Sequence, residues 1–396
     1  SQNILGMIGF SCYVLADSYF ISIAKGADGL TALNLVMPLY SIIFSIGEMI
    51  GVGSAIRYAI SKIKKDADAD DYFWNAIIWC IMSSMIFVFA GIFFSSDIMR
   101  VLGADEHIVA VGNNYTKIFM CFAPMFMCNY VTNAFVRNDG APGIAMSATL
   151  FSSLFNIVFD YILMFPMNLG MEGAALATAL SPIIGMGICS IHFFSKKSSV
   201  RLVVCKPSVR KLVAGSQLGV SAFVGEMSSA VITLAFNFVI LKLTGNVGVA
   251  AYGVVANIAI VTTAVFNGVA QGSQPLISSC FGRGDKDGCT QLKRMGYTTA
   301  FVLAAVMYSI LFIFAEQFVA VFNSEGSEML RLYATEGVKL YFIGIFFAGI
   351  NIVGGGAFSA TEDAFKAAVV SVARGFVLIL GAVFVMSALF GMTGVW

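Results

Sequence analysis

The sequence predicts an all-α integral membrane protein, and three observations carry that prediction. Long apolar runs recur along the whole chain, Lys and Arg gather on alternate connections, and the second half repeats the first. Composition agrees: 59% of the 396 residues are hydrophobic and 11% charged, with a mean hydropathy of +0.88. A soluble domain carries about a quarter charged residues. So few charges cannot cover a water-facing surface, and a bilayer is the solvent that suits this chain.

A spanning helix takes about 20 mainly apolar residues. Breaks at charges, Gly and Pro divide the chain into eleven spans. Spans 1 to 6 cover 3–24, 31–61, 73–96, 108–136, 142–166 and 172–195. Spans 7 to 11 cover 211–243, 247–281, 293–322, 332–359 and 366–391. Several exceed the minimum, which predicts tilt or bending. Pro38, Pro124, Pro182 and Pro275 lie inside spans 2, 4, 6 and 8, where neighbouring helices can re-satisfy the freed carbonyls.

The connections alternate in charge. One set of 17 basic residues runs from Arg57, Lys62, Lys64 and Lys65 through Arg137 and Lys196–Lys211 to Arg283–Arg294, Lys366 and Arg374. The opposite set holds six: Lys25, Arg100, Lys117, Lys242, Arg331 and Lys339. The positive-inside rule places the larger set in the cytoplasm, with the N-terminus on that side and 391–396 outside.

The halves match around the longest polar break. Gly51–Asp66 aligns with Ala270–Asp285 at an offset of 219, Asn133–Ala148 parallels Gly356–Ser371 at 223, and Gly170-Met-Glu-Gly173 matches Gly391-Met-Thr-Gly394. The expected organisation is an N-lobe over 1–195 (spans 1–6), a cytoplasmic linker over 196–210 and a C-lobe over 211–396 (spans 7–11). The architecture is thus two six-helix repeats in one orientation, with twelve spans expected and about eleven present. The twelfth would follow Trp396 and return the C-terminus to the cytoplasm. Parallel repeats related by an axis along the membrane normal are a transporter architecture, with the substrate path between them.

Enzyme chemistry finds no foothold. The eight cysteines form no CxxC pair and sit mostly in apolar runs, and only His107 and His192 are available as histidines. No Walker A sequence occurs, and Gly282-Arg-Gly284 lacks the strand and helix that a nucleotide fingerprint needs. A formal charge of +1 gives no field for nucleic acid. No enzyme activity and no nucleic-acid partner are expected, and uphill movement would draw on an ion gradient.

Four acids fall within the predicted spans: Asp17, Glu48, Asp160 and Glu226. Each costs about 2.5–3.5 kcal/mol to insert and therefore needs a reason. No Lys or Arg is expected at their depth, so they suit reversible binding of a proton or a hard monovalent cation. Asn156 and Asp160, spaced i and i+4, share one face of span 5. Thr178 lies among small residues of span 6 that allow close approach, and Asp17 on span 1 would complete the group. A polar network that only locks helices together is the other reading. Glu48 either lines the pore or pairs with Arg57. Glu226, Gln274 and Asn237 are further cavity candidates, and Phe and Met side chains could form an adaptable binding wall.

At this point the sequence resembles the multidrug and toxic compound extrusion (MATE) transporters, in a DinF-like or MepA-like bacterial branch. The resemblance rests on Asp17 in Ala-Asp-Ser-Tyr-Phe-Ile, Gly51-Val-Gly-Ser-Ala55, Asn156-Ile-Val-Phe-Asp160-Tyr-Ile-Leu, Gly173-Ala-Ala-Leu-Ala-Thr178 and Gln271-Gly-Ser-Gln-Pro-Leu-Ile-Ser278. It implies V-shaped lobes around a central cavity, in a multi-pass protein of the plasma membrane. It also implies a cation-coupled antiporter that exports amphipathic, often cationic compounds, acting as a monomer. Its coupling positions fall on Asp17, Asn156, Asp160 and Thr178, which would be the metal ligands if the ion is Na⁺; H⁺ is the alternative, and no other cofactor is implied. Two departures stand out: Glu226 has no second deep acid beside it in the C-lobe, and Glu48 and Arg57 replace a neutral pattern. A flippase for lipid-linked precursors and a non-transporting scaffold are the competing expectations.

Overall fold

Apolar runs in hydrocarbon must satisfy every backbone N–H and C=O internally, so they coil into helices. The computed structural model describes residues 2–322 and 327–396, and all regular elements among them are helical. Among the described residues, ten helices are long and apolar enough to cross a bilayer. They are Asn3–Gly26, Thr31–Lys64, Asp71–Val101, Pro142–Met164, Gly170–Phe193, Val209–Gly245, Val247–Gly282, Lys286–Ile313, Glu328–Ala360 and Ala364–Val395. Span 4 is a pair, Glu106–Cys121 and Ala123–Asn138, bent by 46°. Pro124 in the first turn of the second piece explains the break, because proline disfavours helical backbone just before it. Counted as one span, the pair brings the total to the predicted eleven. Span 11 contains one π-helical stretch at Ala373–Leu378.

The repeat is written in the backbone. Left-handed residues recur in equivalent turns: Gly26 and Gly245, Lys65 and Gly284, Gly140 and Glu362, Gly170 and Gly391. The first two pairs keep the offset of 219. The turn between spans 4 and 5 corresponds to that between spans 10 and 11 at 222, which moves the sequence match there by one residue.

Buried apolar side chains collect mostly within one half or the other. The largest core runs from Ile21 through Tyr58, Phe119 and Phe135 to Ala175 and reaches Leu218 of span 7, and two of the smaller ones draw on residues 236 to 395. Outward faces stay apolar, as Ile86 and Phe93 of span 3 illustrate at 71% and 64% exposure. That belt is what lipid covers.

The halves meet where spans 2 and 7 cross. A Cβ on Gly219 would stand 2.0 Å from the Met49 carbonyl oxygen, and one on Gly53 would stand 2.1 Å from that of Gly215. Span 1 also packs tightly on span 8, where a Cβ on Gly268 would stand 2.6 Å from Ile4 Cα. Lys211 Nζ adds ion pairs to Asp68 and Asp71 at 2.9 and 2.5 Å. These contacts lie at the end of the lobes that carries the 196–210 connection, here called the linker face.

Two charges sit deeper than expected. Arg137, assigned to a loop, is 7% exposed inside the last turn of the bent span, where its Nη2 donates to Asn133 at 3.1 Å. Arg374, counted with the connections although it falls within predicted span 11, is half-buried ten residues into that helix, with Nη2 4.0 Å from where a Gly225 side chain would begin. The bent span runs on to Asn138, past its expected end at 136, and span 11 carries Arg374 in its interior, so basic residues do reach the level of the acids.

Candidate functional site

Asp17, Asn156, Asp160 and Thr178 are all buried, at 6%, 0%, 0% and 2% exposure. Helical spacing explains the first contact. Asn156 and Asp160 are one turn apart on span 5, and the Asn156 amide oriented toward Asp160 donates from Nδ2 to Oδ2 at 3.1 Å. The amide oxygen then accepts from the Thr178 backbone N–H and hydroxyl, each at 3.2 Å. Thr178 reaches that position because Gly173 brings span 6 against the end of span 5, where a Cβ would stand 2.8 Å from the Leu163 carbonyl carbon.

Span 1 supplies Asp17, within electrostatic reach of Asp160. The two helices are held together one turn further along, where Phe20 meets Tyr161 and Phe165 at centroid distances of 6.2 and 6.1 Å. Oδ1 of Asp17 and Oδ1 of Asp160 are buried without a hydrogen-bond partner among the described residues. A buried carboxylate oxygen is costly to leave unpaired. Two of them from different helices, in a group with an amide and a hydroxyl, make an oxygen-rich cluster whose chemistry suits a proton or a hard monovalent cation.

The structure adds aromatic hydroxyls that the sequence reading did not single out. Tyr13, one turn before Asp17, lies within electrostatic reach of Asp17 and Asp160. Tyr40 of span 2 and Tyr115 of span 4 share a hydrogen bond between their hydroxyls, and both lie within reach of the same acids. The i, i+4 spacing of Tyr13 and Asp17 was a readable signal. The Tyr40–Tyr115 contact was not, because 75 residues separate the partners.

The other candidates are more scattered. Glu48 and Glu226 come from opposite halves and lie within electrostatic reach of each other, with Arg137 also near Glu48. Arg57 does not pair with Glu48; its Nη1 donates to Glu362 Oε1 in the connection between spans 10 and 11. The extra reach of that pairing comes from tertiary packing, since 305 residues separate the partners. Gln274 is 8% exposed and packed beside Gly356 inside the second half. Asn237 is half-buried about three turns beyond Glu226 on span 7, so it does not join that pair.

A family model described as MatE matches residues 3–162 and 222–390, most of both halves. The chain belongs to the MATE family. Among relatives, it is 28% identical over 395 residues to the multidrug export protein MepA of Staphylococcus aureus, covering 97% of this chain and 84% of that one. The MepA of Staphylococcus saprophyticus is 27% identical over 391 residues, with the same coverage. Two solved structures share the fold of this MATE chain. One is the outward-facing conformation of a multidrug resistance MATE family transporter of the MOP superfamily, with TM-score 0.93 and 21% identity over 100% of this chain and 89% of that one. The other is a MOP superfamily transporter from Pyrococcus furiosus described as having a binding pocket of reversed polarity, with TM-score 0.91 and 20% identity over 99% and 88%.

Proposed function

We propose that this MATE protein is a secondary active transporter that exports amphipathic, cationic small molecules, coupled to Na⁺ or H⁺ at Asp17, Asn156, Asp160 and Thr178. The observation that carries the coupling site is the pair of buried carboxylate oxygens, one on Asp17 and one on Asp160, left without hydrogen-bond partners among the described residues. Loading a cation or proton there would satisfy both oxygens and neutralise charge in a region of low dielectric. Spans 1, 5 and 6 would then close around the ion, and its release would loosen them. The export reading draws its support from the MepA relatives. The ion shifts the equilibrium between conformations only by its differential affinity for them. Alternating access would carry substrate from the linker face, which the basic residues assign to the cytoplasm, to the opposite side of the plasma membrane.

The test is efflux of a fluorescent organic cation such as ethidium from proteoliposomes under separately imposed Na⁺ and pH gradients. Export driven by one gradient supports the reading and names the ion. Flux independent of both gradients would defeat the coupling.

One observation favours a second reading. Arg374 and Arg137 bring positive charge to the depth of the acids, and a cationic cavity would suit an anionic lipid-linked substrate. A scrambling assay with a fluorescent anionic lipid decides between the two: flipping that is lost in Arg374→Leu would select the flippase.

A further inference from the structure

Glu362 occupies backbone that the equivalent turn gives to glycine. Thr361, Glu362 and Asp363 connect spans 10 and 11, and Gly140 holds the matching position between spans 4 and 5. Gly140 has φ +85° and Glu362 has φ +57°. That region is sterically disfavoured for a residue with a Cβ and free for glycine. The neighbours of Glu362 have local duties. The Asp363 side chain accepts from the Lys366 backbone N–H at 3.3 Å and caps span 11, while the Thr361 hydroxyl donates back to Ala357 O at 3.1 Å.

The Glu362 side chain instead leaves its own half. Oε1 accepts from Arg57 Nη1, and Oε2 lies 3.4 Å from Lys64 Nζ. Arg57 and Lys64 are seven residues apart on one face of span 2, so each takes one carboxylate oxygen. Arg57 and Glu362 are only 24% and 21% exposed, so the pair is shielded from solvent more than a surface ion pair is. One helical turn from Arg57 lies Gly53, in the tight contact with Gly215 that joins the two halves. The carboxylate therefore straddles the same seam, held at a strained turn, and among the described residues its side-chain partners are both in the other half.

We propose that Glu362, Arg57 and Lys64 form a releasable latch that holds the linker face shut between openings. The idea rests on the alternating-access reading, because only a face that opens has use for a closure that comes apart. It extends that reading by naming the ion pairs that must break at each opening.

The test measures the separation of the halves rather than transport. Spin labels are placed at exposed Asp66 and Asp287, in a background with the native cysteines replaced, and distances are read by double electron–electron resonance in nanodiscs. In the parent protein the short distance should dominate. Glu362→Gln should raise the ratio of long to short distances at least about threefold, the scale of one exposed ion pair. Glu362→Gly removes the charge while relieving the turn, so it should fold and open at least as much. The charge swap Arg57→Glu with Glu362→Arg should return the ratio toward the parent value. An unchanged distribution in both single variants, or a correctly folded swap that stays as open as Glu362→Gln, would overturn the latch. Since the readout needs no substrate, its failure is separable from failure of the export reading.

Discussion

Gly53 lies so close to Gly215 that a single methyl group on it would stand 2.1 Å from the facing carbonyl oxygen. Two helices from opposite halves therefore meet backbone to backbone, an approach open only to residues without side chains. Gly53→Ala should force them apart. Overpacking of this kind costs about 1–3 kcal/mol, so the purified variant should melt at a lower temperature and export more slowly. A variant with the parent melting temperature would mean that the seam is not held in this form.

The buried acids give a second expectation. Asp160→Asn keeps the shape of the side chain and removes its charge. It should lower gradient-driven efflux about tenfold, the factor set by about 1.4 kcal/mol of lost coupling energy. Binding of a fluorescent substrate without a gradient should change less. If efflux is unaffected, Asp160 does not carry the coupling ion.

Asp139 makes a third case, on the linker face. Its carboxylate accepts from His192 Nε2 and the Ser199 backbone N–H at 2.8 and 2.9 Å, and from the Tyr58 hydroxyl at 3.2 Å. The Asp139 and His192 side chains are 2% and 4% exposed. Asp139→Ala strands several donors, a loss on the order of 2–4 kcal/mol. The expected result is a lower melting temperature together with faster tryptic cleavage at Lys196 and Lys197. Unaltered cleavage would mean that Asp139 does not anchor the linker.

A fourth expectation concerns pH. The hydrogen bond from Lys211 holds the Asp68 carboxyl below its ordinary range. A depressed value in the folded state means that the pairing stabilises above the unfolded value and fades as pH falls through the folded one. The melting difference between parent and Asp68→Asn should accordingly be largest near neutrality and vanish in acid. A difference that grows toward acid would contradict the pairing. The effect should be small, because Asp68 is mostly exposed.

How much of this was legible in the sequence follows from the range of each interaction. Spans were readable because apolar length is a local, additive property, and the Asn156–Asp160 contact was readable because one helical turn links them. The partners of Arg57 and Tyr40 lie 305 and 75 residues away. Periodicity holds no trace of such pairs. Arg137 and Arg374 misled for a different reason: counting Lys and Arg as loop residues works for the majority and fails where a helix carries a charge inward. Glu362 was hidden because its left-handed backbone is set by the turn, and glutamate rarely announces that conformation.

The linker has its own consequence. Arg201 N donates to Asp70 Oδ1 at 3.3 Å, Asn75 Nδ2 reaches Cys205 Sγ at 3.1 Å, and Ser208 N donates to Asn75 Oδ1 at 2.7 Å. Asp139 fastens the stretch before them. Residues 198–208 thus travel with the first half and leave no slack. A slack tether would let the halves drift; this one is fastened up to Ser208, directly before span 7 begins at Val209, and Lys211 of span 7 is itself paired to Asp68 and Asp71. If the second half moves, the displacement must be taken up by span 7 and its contacts rather than by the connection.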